Sequence, residues 1–278
     1  MRKLKVTILL ENTVGVPRIL SEWGLSMFLD FGDELILFDT GERGNIINNA
    51  QVLGCDLRQV DRVVLSHGHF DHTGGLLKFL QYRGRIPVYA HPDLFMGHYG
   101  RGLQGQRDRY IGVPFCLEQL ASAGADFQWH KEPVELRPGL WLSGEIPRNT
   151  KFEQVDEAMV AIKEGKTVQD SIPDDFSLFY VTDQGLVILL GCAHAGLVNI
   201  IEHAKRVTGT TKVRAIIGGT HLAPAGPNQK EQTIKYIKGL DLTCLAANHC
   251  TGLPMISKLA AEFPEAFTFA SAGTMLNF

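Results

Sequence analysis

The sequence lacks the features that mark membrane, secreted and disulfide-bonded proteins. Its 278 residues contain no apolar run close to the roughly 20 residues that a membrane-spanning helix needs. The N-terminal segment MRKLKVTILLEN turns polar at Glu11 and Asn12, with no small-residue cleavage site after it, and so predicts a first strand rather than a signal peptide. The five cysteines form no CxxC pair, which argues against a disulfide framework and favours a reducing cytoplasm.

The sequence also has no large excess of positive or negative charge. Lys and Arg total 27 against 30 Asp and Glu, for a net charge of −3, and like charges form no block. Binding to nucleic acid or to an anionic membrane would require a basic stripe or patch. We therefore expect neither as a partner, and the balance of charge counts against an RNA-processing nuclease. The oligomeric state stays open.

Strand-like and helix-like segments alternate along most of the chain, which predicts an α/β fold. LVILLG (186–191) and VRAIIG (213–218) are typical of buried strands, and each precedes a segment with helical spacing of apolar residues. Residues 22–30 and 62–66 are further predicted strands. Residues 1–278 are interpreted as one domain, with an irregular loop or lid region at about 92–175.

The most informative segment is SHGHFDHTGGL, residues 66–76. It places His67, His69, Asp71 and His72 within six positions, directly after an apolar strand. Side chains two residues apart in extended chain point the same way, so His67 and His69 can face one point in space. Imidazoles with a carboxylate suit zinc, and also iron or manganese. The alternative, a histidine-rich surface turn, is less consistent with a position between a strand and a helix.

Further ligands would have to come from elsewhere in the chain. His194 in GCAHAG, His221 in GGTHL and His249 in NHCTG each follow a predicted strand, where open α/β sheets place their sites. The context favours His194 and His249 as ligands over His221. The remaining histidines lack this context, and His203 is predicted to face solvent from a helix.

Together these residues resemble the metallo-β-lactamase superfamily. The resemblance runs from LFDTG (37–41) to ASAGT (270–274) and implies a four-layer αβ/βα sandwich with a metal site at one edge of its two sheets. It implies a first metal position at His67, His69 and His194, and a second at Asp71, His72 and His249. It also implies one or two zinc ions and gives Asp39 a supporting role.

His221 departs from the pattern of many hydrolases in this superfamily, which carry a bridging Asp at that position. A carboxylate can bind two metals, whereas an imidazole nitrogen binds one. The second metal is therefore expected to be weaker or absent. His221 is therefore predicted either to bind one metal ion or to form a hydrogen bond with the substrate. Asp71 and His221 are the proposed catalytic residues.

Further sequence segments resemble one particular group within this superfamily. SEWGLSMFL (21–29), SGEIPR (143–148) and GCAHAGLVNI (191–200) resemble the dihydropterin–aminobenzene ribosyl phosphate synthase group. That resemblance implies an enzyme that joins a dihydropterin methyl diphosphate to an aminobenzene ribosyl phosphate and releases diphosphate. The alternatives are a metal-dependent phosphodiesterase or lactonase and, less favoured, a binding protein on a relict scaffold.

A phosphorylated small-molecule substrate requires cations, and a pterin ring requires a carboxylate opposite its N–H edge. Arg107, Arg109 and Arg148 are the proposed phosphate-binding residues, and Glu145 is a proposed pterin-binding carboxylate, with surface roles as the alternative for each. Glu22 and Asp175 are alternative carboxylates for binding the pterin ring. Trp23, Phe70 and Tyr99 are candidates for stacking on a flat ring. Cys192 and Cys250 flank the histidines. Metal ligands and redox-sensitive thiols are the alternatives, but both are interpreted as small buried apolar residues because the histidines already fill the ligand set.

Overall fold

The computed structural model describes residues 3–102, 106–163 and 165–278. The α-helices in the described residues are α1 Ile46–Leu53, α2 Phe70–Thr73, α3 Leu76–Arg83, α4 Leu117–Ser122, α5 Leu197–Thr208, α6 Pro227–Lys238 and α7 Leu253–Glu262. The strands in the same residues are β1 Lys5–Leu10, β2 Ser26–Asp30, β3 Leu35–Phe38, β4 Arg62–Val64, β5 Ile86–Ala90, β6 His98–Gly100, β7 Arg109–Tyr110, β8 Ala125–Trp129, β9 Val134–Arg137, β10 Leu140–Leu142, β11 Met159–Lys163, β12 Lys166–Gln169, β13 Ser177–Thr182, β14 Gly185–Leu190, β15 Val213–Gly219, β16 Cys244–Asn248 and β17 Met275–Asn277.

Two large sheets organise the described chain. The first has the strand order β17-β1-β2-β3-β4-β5-β8, and the second has the order β16-β15-β14-β13-β10-β9. Strands β3, β4, β5 and β8 run parallel to one another, as do β14, β15 and β16. Each parallel run is built from strand–helix repeats, so each sheet brings several strand ends and helix starts to one edge.

Three hydrophobic cores define four layers. One core lies between the sheets and contains Phe38 of the first sheet and Leu189 of the second. A second core packs α1 and α3 on the first sheet, and a third packs α5, α6 and α7 on the second sheet. A strand that is buried on both faces has a continuous run of apolar residues. LVILLG could therefore be identified from the sequence as a buried strand. The predicted αβ/βα sandwich is confirmed.

The segment at 92–175 is more regular than the sequence suggested. Within it, β6, β7, β11 and β12 form a small four-stranded antiparallel sheet in the order β12-β11-β6-β7. Strands β7 and β12 of this sheet are short and largely exposed, so they lack the apolar runs that identify a strand. Residues 103–105 and 164 of that segment lie outside the described residues.

Some predicted boundaries shift by a few residues. The strand predicted at 22–30 begins at Ser26, and the strand predicted at 62–66 ends at Val64. Among the described residues, no helix is both long enough and apolar enough to cross a membrane.

Candidate metal centre

The site lies where the parallel strands of both sheets end. Asp39 follows β3, and residues 67–72 run from the end of β4 through the short helix α2. His194, His221 and His249 follow β14, β15 and β16 of the other sheet. The structure therefore brings together, from both sheets, the histidines that the sequence placed at strand ends.

One set of imidazoles consists of His67, His69 and His194. The Ser66 hydroxyl donates to Asp39 Oδ2 at 2.7 Å, so the Ser66 oxygen accepts from His67 Nδ1 at 2.8 Å. His67 Nε2 is then free of its proton, and it faces His69 Nδ1 at 3.0 Å. The His194 ring lies 4.8 Å from the His67 ring, and its buried Nε2 has no hydrogen-bond partner. The three imidazole rings therefore lie together, with ring centres 4.6, 4.8 and 4.9 Å apart.

The second set consists of His72, His249 and Asp71. His72 Nδ1 donates to Asp39 Oδ2 at 2.7 Å, and His249 Nδ1 donates to Asn12 Oδ1 at 3.0 Å. These bonds direct both Nε2 lone pairs inward, where the two atoms lie only 3.2 Å apart. Asp71 Oδ2 is 3.4 Å from His249 Nε2. Two lone pairs and a carboxylate at this separation repel one another unless a cation lies among them.

The pKa shifts of the buried histidines also show that the site favours positive charge. Burial and the surrounding imidazoles lower the pKa of His67 and of His194, which keeps both rings neutral and able to bind metal. Burial also lowers the pKa of His72, but the carboxylates of Asp39 and Asp71 outweigh it and raise that pKa to about 9. The two buried carboxylates thus favour positive charge at this position.

The backbone around the site is held in uncommon conformations. Six non-glycine residues among those described have positive φ, and four of them belong to the site: Asp39, Ala193, His221 and His249. Such conformations cost energy and persist only where surrounding contacts fix them. The sheets also approach closely here, because a Cβ on Gly191 would lie 2.3 Å from Ser66 Oγ. This clustering supports a functional role for the site.

Cys192 is buried, as expected, and its sulfur lies among the histidines of the site. Its Sγ lies 3.1 Å from His72 Nε2, and it belongs to a group of potential ligands with His67 and His194. Cys192 and His194 are two residues apart after a strand, which is the spacing already used for His67 and His69. The same argument could have identified it from sequence.

A cavity of about 230 Å³ opens onto these side chains. Its wall includes Trp23, Phe70 and Arg109, three residues that were proposed to bind substrate. The Arg109 guanidinium lies 5.9 Å from the centre of the Phe70 ring. Trp23 is 57% exposed and its ring packs edge-on against His249, so a large apolar face borders the entrance.

The other residues proposed for substrate binding lie elsewhere. Arg107 is exposed and does not line the 230 Å³ cavity. Glu145 and Arg148 line a separate cavity, where Glu145 pairs with His91 at 3.0 Å and Arg148 donates to the Ser171 carbonyl at 2.7 Å. Sequence proximity to a motif could not show toward which side of a loop these side chains turn.

The remaining alternatives for ring recognition do not line the cavity either. Glu22 accepts the backbone N–H groups of Glu42 and Arg43, and Asp175 accepts that of Ala195. Both carboxylates thus hold loops in place. Tyr99 packs against Tyr110.

His221 is held by an acidic residue that the sequence did not single out. Its Nε2 lies 3.1 Å from Asp156 Oδ2, and its ring centre is 4.2 Å from that of His194. Burial lowers the pKa of His221, but Asp156 and Cys250 together outweigh burial and raise it to about 10. His221 also lines a second cavity of about 280 Å³, together with Asp156 and Glu157. His221 also belongs to a group of potential metal ligands with Cys192 and Cys250, so the geometry accommodates both a cationic group between two cavities and a metal ligand.

Three histidines without sequence context are also buried, namely His91, His98 and His203. His203, which was predicted to face solvent, is 7% exposed and donates from Nε2 to the Ser143 carbonyl at 2.8 Å. That prediction was wrong, because the loop preceding β11 covers this face of α5. His98 of the small sheet bonds Asp170 at 2.6 Å and packs its ring on His69 at 5.2 Å. The small sheet therefore contacts the metal-binding loop directly.

Comparison with known proteins identifies the family. The profile of the metallo-beta-lactamase superfamily matches residues 24–157. A 7,8-dihydropterin-6-methyl-4-(beta-D-ribofuranosyl)-aminobenzene-5'-phosphate synthase from Methanocaldococcus jannaschii is 31% identical over 289 residues, covering 99% of this chain and 97% of that protein. The chain belongs to the metallo-β-lactamase superfamily.

Solved structures agree with this fold. A metal-dependent hydrolase of the beta-lactamase superfamily superposes with a TM-score of 0.84 at 25% identity, covering 98% of each chain. Zinc-bound PqqB from Methylobacterium extorquens shares the fold at a TM-score of 0.58 and 16% identity, covering 98% of this chain and 99% of PqqB. Members of the family are metal-binding enzymes, and the donor atoms described above suit such an ion.

Proposed function

We propose that this protein is a metal-dependent enzyme acting on a phosphorylated small molecule. His67, His69 and His194 would hold one divalent ion, and Asp71, His72 and His249 a second. The observation that carries the proposal is the 3.2 Å approach of the His72 and His249 Nε2 atoms, whose lone pairs are both directed inward by hydrogen bonds at Nδ1. Zinc suits three-imidazole sites, and iron or manganese would also accept these donors.

The sharper form of the proposal is a condensation that releases diphosphate. The amine nitrogen of an aminobenzene ribosyl phosphate would attack the methylene carbon of a dihydropterin methyl diphosphate. The C–O bond to diphosphate breaks, and the amine proton passes to solvent. The relative from Methanocaldococcus jannaschii, 31% identical over nearly the whole chain, supports this reaction. A bound divalent ion would supply positive charge to the departing diphosphate oxygen.

This chain's own residues would position the two substrates. The cationic His221, fixed by Asp156, faces the cavity where the diphosphate would lie. Arg109 offers a second positive charge at the same cavity. Trp23 and Phe70 provide apolar faces for a flat ring, and Ile111 and Met159 line the same wall, which limits access of water. Excluding water matters because hydrolysis would destroy the diphosphate ester.

The test is diphosphate release from the dihydropterin methyl diphosphate, measured with and without the aminobenzene ribosyl phosphate. The condensation predicts release that requires the amine, together with one new product containing both rings. His67→Ala should abolish it, whereas His130→Ala should not, because His130 stacks on Tyr89 outside the site.

The alternative is a metal-dependent hydrolase such as a phosphodiesterase or lactonase. Release of diphosphate that is independent of the amine, or turnover only of simple phosphodiesters or lactones, would support the hydrolase and reject the condensation. Absence of metal from the purified protein, combined with failure to bind added zinc, would reject both.

A further inference from the structure

Cys192 occupies the point where the two sets of proposed ligands meet. Potential ligand atoms of Cys192, His67 and His194 all lie within 4.8 Å of one another, and so do those of Cys192, His72 and His249. Its Sγ is 3.1 Å from His72 Nε2. Among the described residues, Cys192 is the side chain that these two groups share.

These separations match those of ligands on a common ion. Zinc–nitrogen bonds of about 2.0 Å and zinc–sulfur bonds of about 2.3 Å place tetrahedral ligand atoms roughly 3.5 Å apart. A cysteine that only filled space would not need its sulfur directed at nitrogen lone pairs. The side chain is 3% exposed, so its sulfur does not face solvent instead.

The local backbone fixes this orientation. Cys192 follows β14 at a point where Gly191 leaves room for Ser66, and the next residue, Ala193, has a φ of 60°. The Cys192 carbonyl accepts a bond from the Cys250 thiol at 3.3 Å, which ties the end of β14 to the turn after β16. The sulfur is thus held between the two ligand sets before any ion binds.

We propose that Cys192 is a metal ligand that bridges the two metal positions as a thiolate, taking the place of the carboxylate absent at His221. A thiolate has lone pairs for two ions, which a neutral imidazole nitrogen does not. Binding would release the thiol proton to solvent and involves no oxidation. The proposal rests on the metal centre of the proposed function, and it reverses the expectation that His221 weakens the second site.

Cobalt substitution tests this proposal, because thiolate ligation gives cobalt(II) a near-ultraviolet charge-transfer band that imidazole and carboxylate ligands do not. The full-length protein is stripped of metal and titrated with Co²⁺, with absorbance and bound cobalt measured together. We expect two cobalt ions per chain and a strong band. Cys192→Ser should remove the band and weaken the second ion at least tenfold, while Cys250→Ser and Cys244→Ser retain both.

The outcomes separate this proposal from the metal centre itself. Two bound cobalt ions without the band would overturn Cys192 ligation and leave the metal centre intact. A band lost in Cys250→Ser but kept in Cys192→Ser would assign the thiolate to Cys250. No cobalt binding at all would reject the metal centre as well. Should Cys192→Ser fail to fold, zinc X-ray absorption on the unaltered protein decides, since it must show sulfur at about 2.3 Å.

Discussion

The carboxylate of Asp39 accepts the Nδ1 proton of His72 at 2.7 Å, and this bond fixes which nitrogen of His72 faces the proposed metal position. Asp39 also accepts the Ser66 backbone N–H at 2.7 Å and the Ser66 hydroxyl at 2.7 Å, so three donors converge on one buried carboxylate. An amide at this position would turn an N–H₂ toward at least one of them. The conformation of the loop that carries His67 and His72 thus depends on Asp39, which is not itself one of the proposed ligands.

Asp39→Asn should therefore weaken metal binding by about 10–100-fold, the usual effect of losing a carboxylate that orients a histidine ligand. Competition with a chromophoric chelator measures the change. Asp126→Asn, which removes an exposed carboxylate near Arg85, is the matched control and should bind metal normally. Equal affinities in the two variants would contradict the orienting role.

Arg109 and Arg107 form a natural pair for testing phosphate recognition. Arg109 lines the 230 Å³ cavity, whereas Arg107 does not. Arg109→Ala should raise KM for a phosphorylated substrate about tenfold, because a charged hydrogen bond is worth about 1.5–3 kcal/mol. Arg107→Ala should leave KM within about twofold. Steady-state kinetics on both variants decides, and an equal loss in both would remove Arg109 from the binding site.

Asp156 should set the pH range over which His221 is positively charged. The Asp156 carboxylate, together with Cys250, outweighs burial and raises the pKa of His221 to about 10, so the imidazolium persists through neutral pH. In Asp156→Asn that pKa should fall toward the ordinary 6.5. At pH 8 activity should then drop on the order of 30-fold, since only a few per cent of an imidazole with that pKa stays protonated.

The measurement for Asp156 is kcat against pH from 6 to 10. The alkaline limb should shift downward in the variant, and near pH 6 most activity should return. Glu157→Gln, which alters the other carboxylate of the same cavity, is the control. An unshifted profile in Asp156→Asn would show that the charge of His221 does not limit turnover.

Asp175 should make folding depend on pH in the opposite sense from an ordinary carboxylate. Burial raises its pKa from 3.8 to about 7 in the folded chain. The folded state binds the proton more tightly, so this contribution to stability is complete below pH 3.8 and is lost as pH rises through 7. Asp175→Asn stays neutral and should be more stable than the parent chain at pH 8, by about 4 kcal/mol, since a shift of one pKa unit corresponds to roughly 1.4 kcal/mol.

Urea unfolding of the metal-free protein at pH 5 and pH 8 checks this expectation. The difference between the parent chain and Asp175→Asn should be larger at pH 8 than at pH 5. Asp241→Asn removes a carboxylate whose side chain is 87% exposed and should show no such dependence. A variant that loses the same stability at both pH values would show that Asp175 is ionised in the folded state.

The fold was predictable because its signals are local. The strand β14, with the sequence GLVILL, is buried at every position, and its apolar run alone identifies a strand in a covered sheet. The histidines of residues 67–72 share one turn, so their spacing predicted their convergence. The placement of His194 and His249 at strand ends followed from the same pattern of strand, turn and helix.

The sequence could not show how the 92–175 segment packs against the rest of the chain. Glu145 and Arg109 both lie in the 92–175 segment, yet one pairs with His91 and the other lines the 230 Å³ cavity. That outcome depends on packing between elements distant in sequence. The sharing of Cys192 between two ligand sets likewise required the ends of β4 and β14 to meet.

The proposed centre joins residues far apart along the chain, since His72 and His249 are separated by 177 positions. Its donors converge where the two sheets pack through a shared apolar core that contains none of the proposed ligands. In the proposed function, loading with an ion would therefore follow folding. Cells short of the metal would accumulate a folded but inactive protein, and resupplying the ion would restore it without new synthesis.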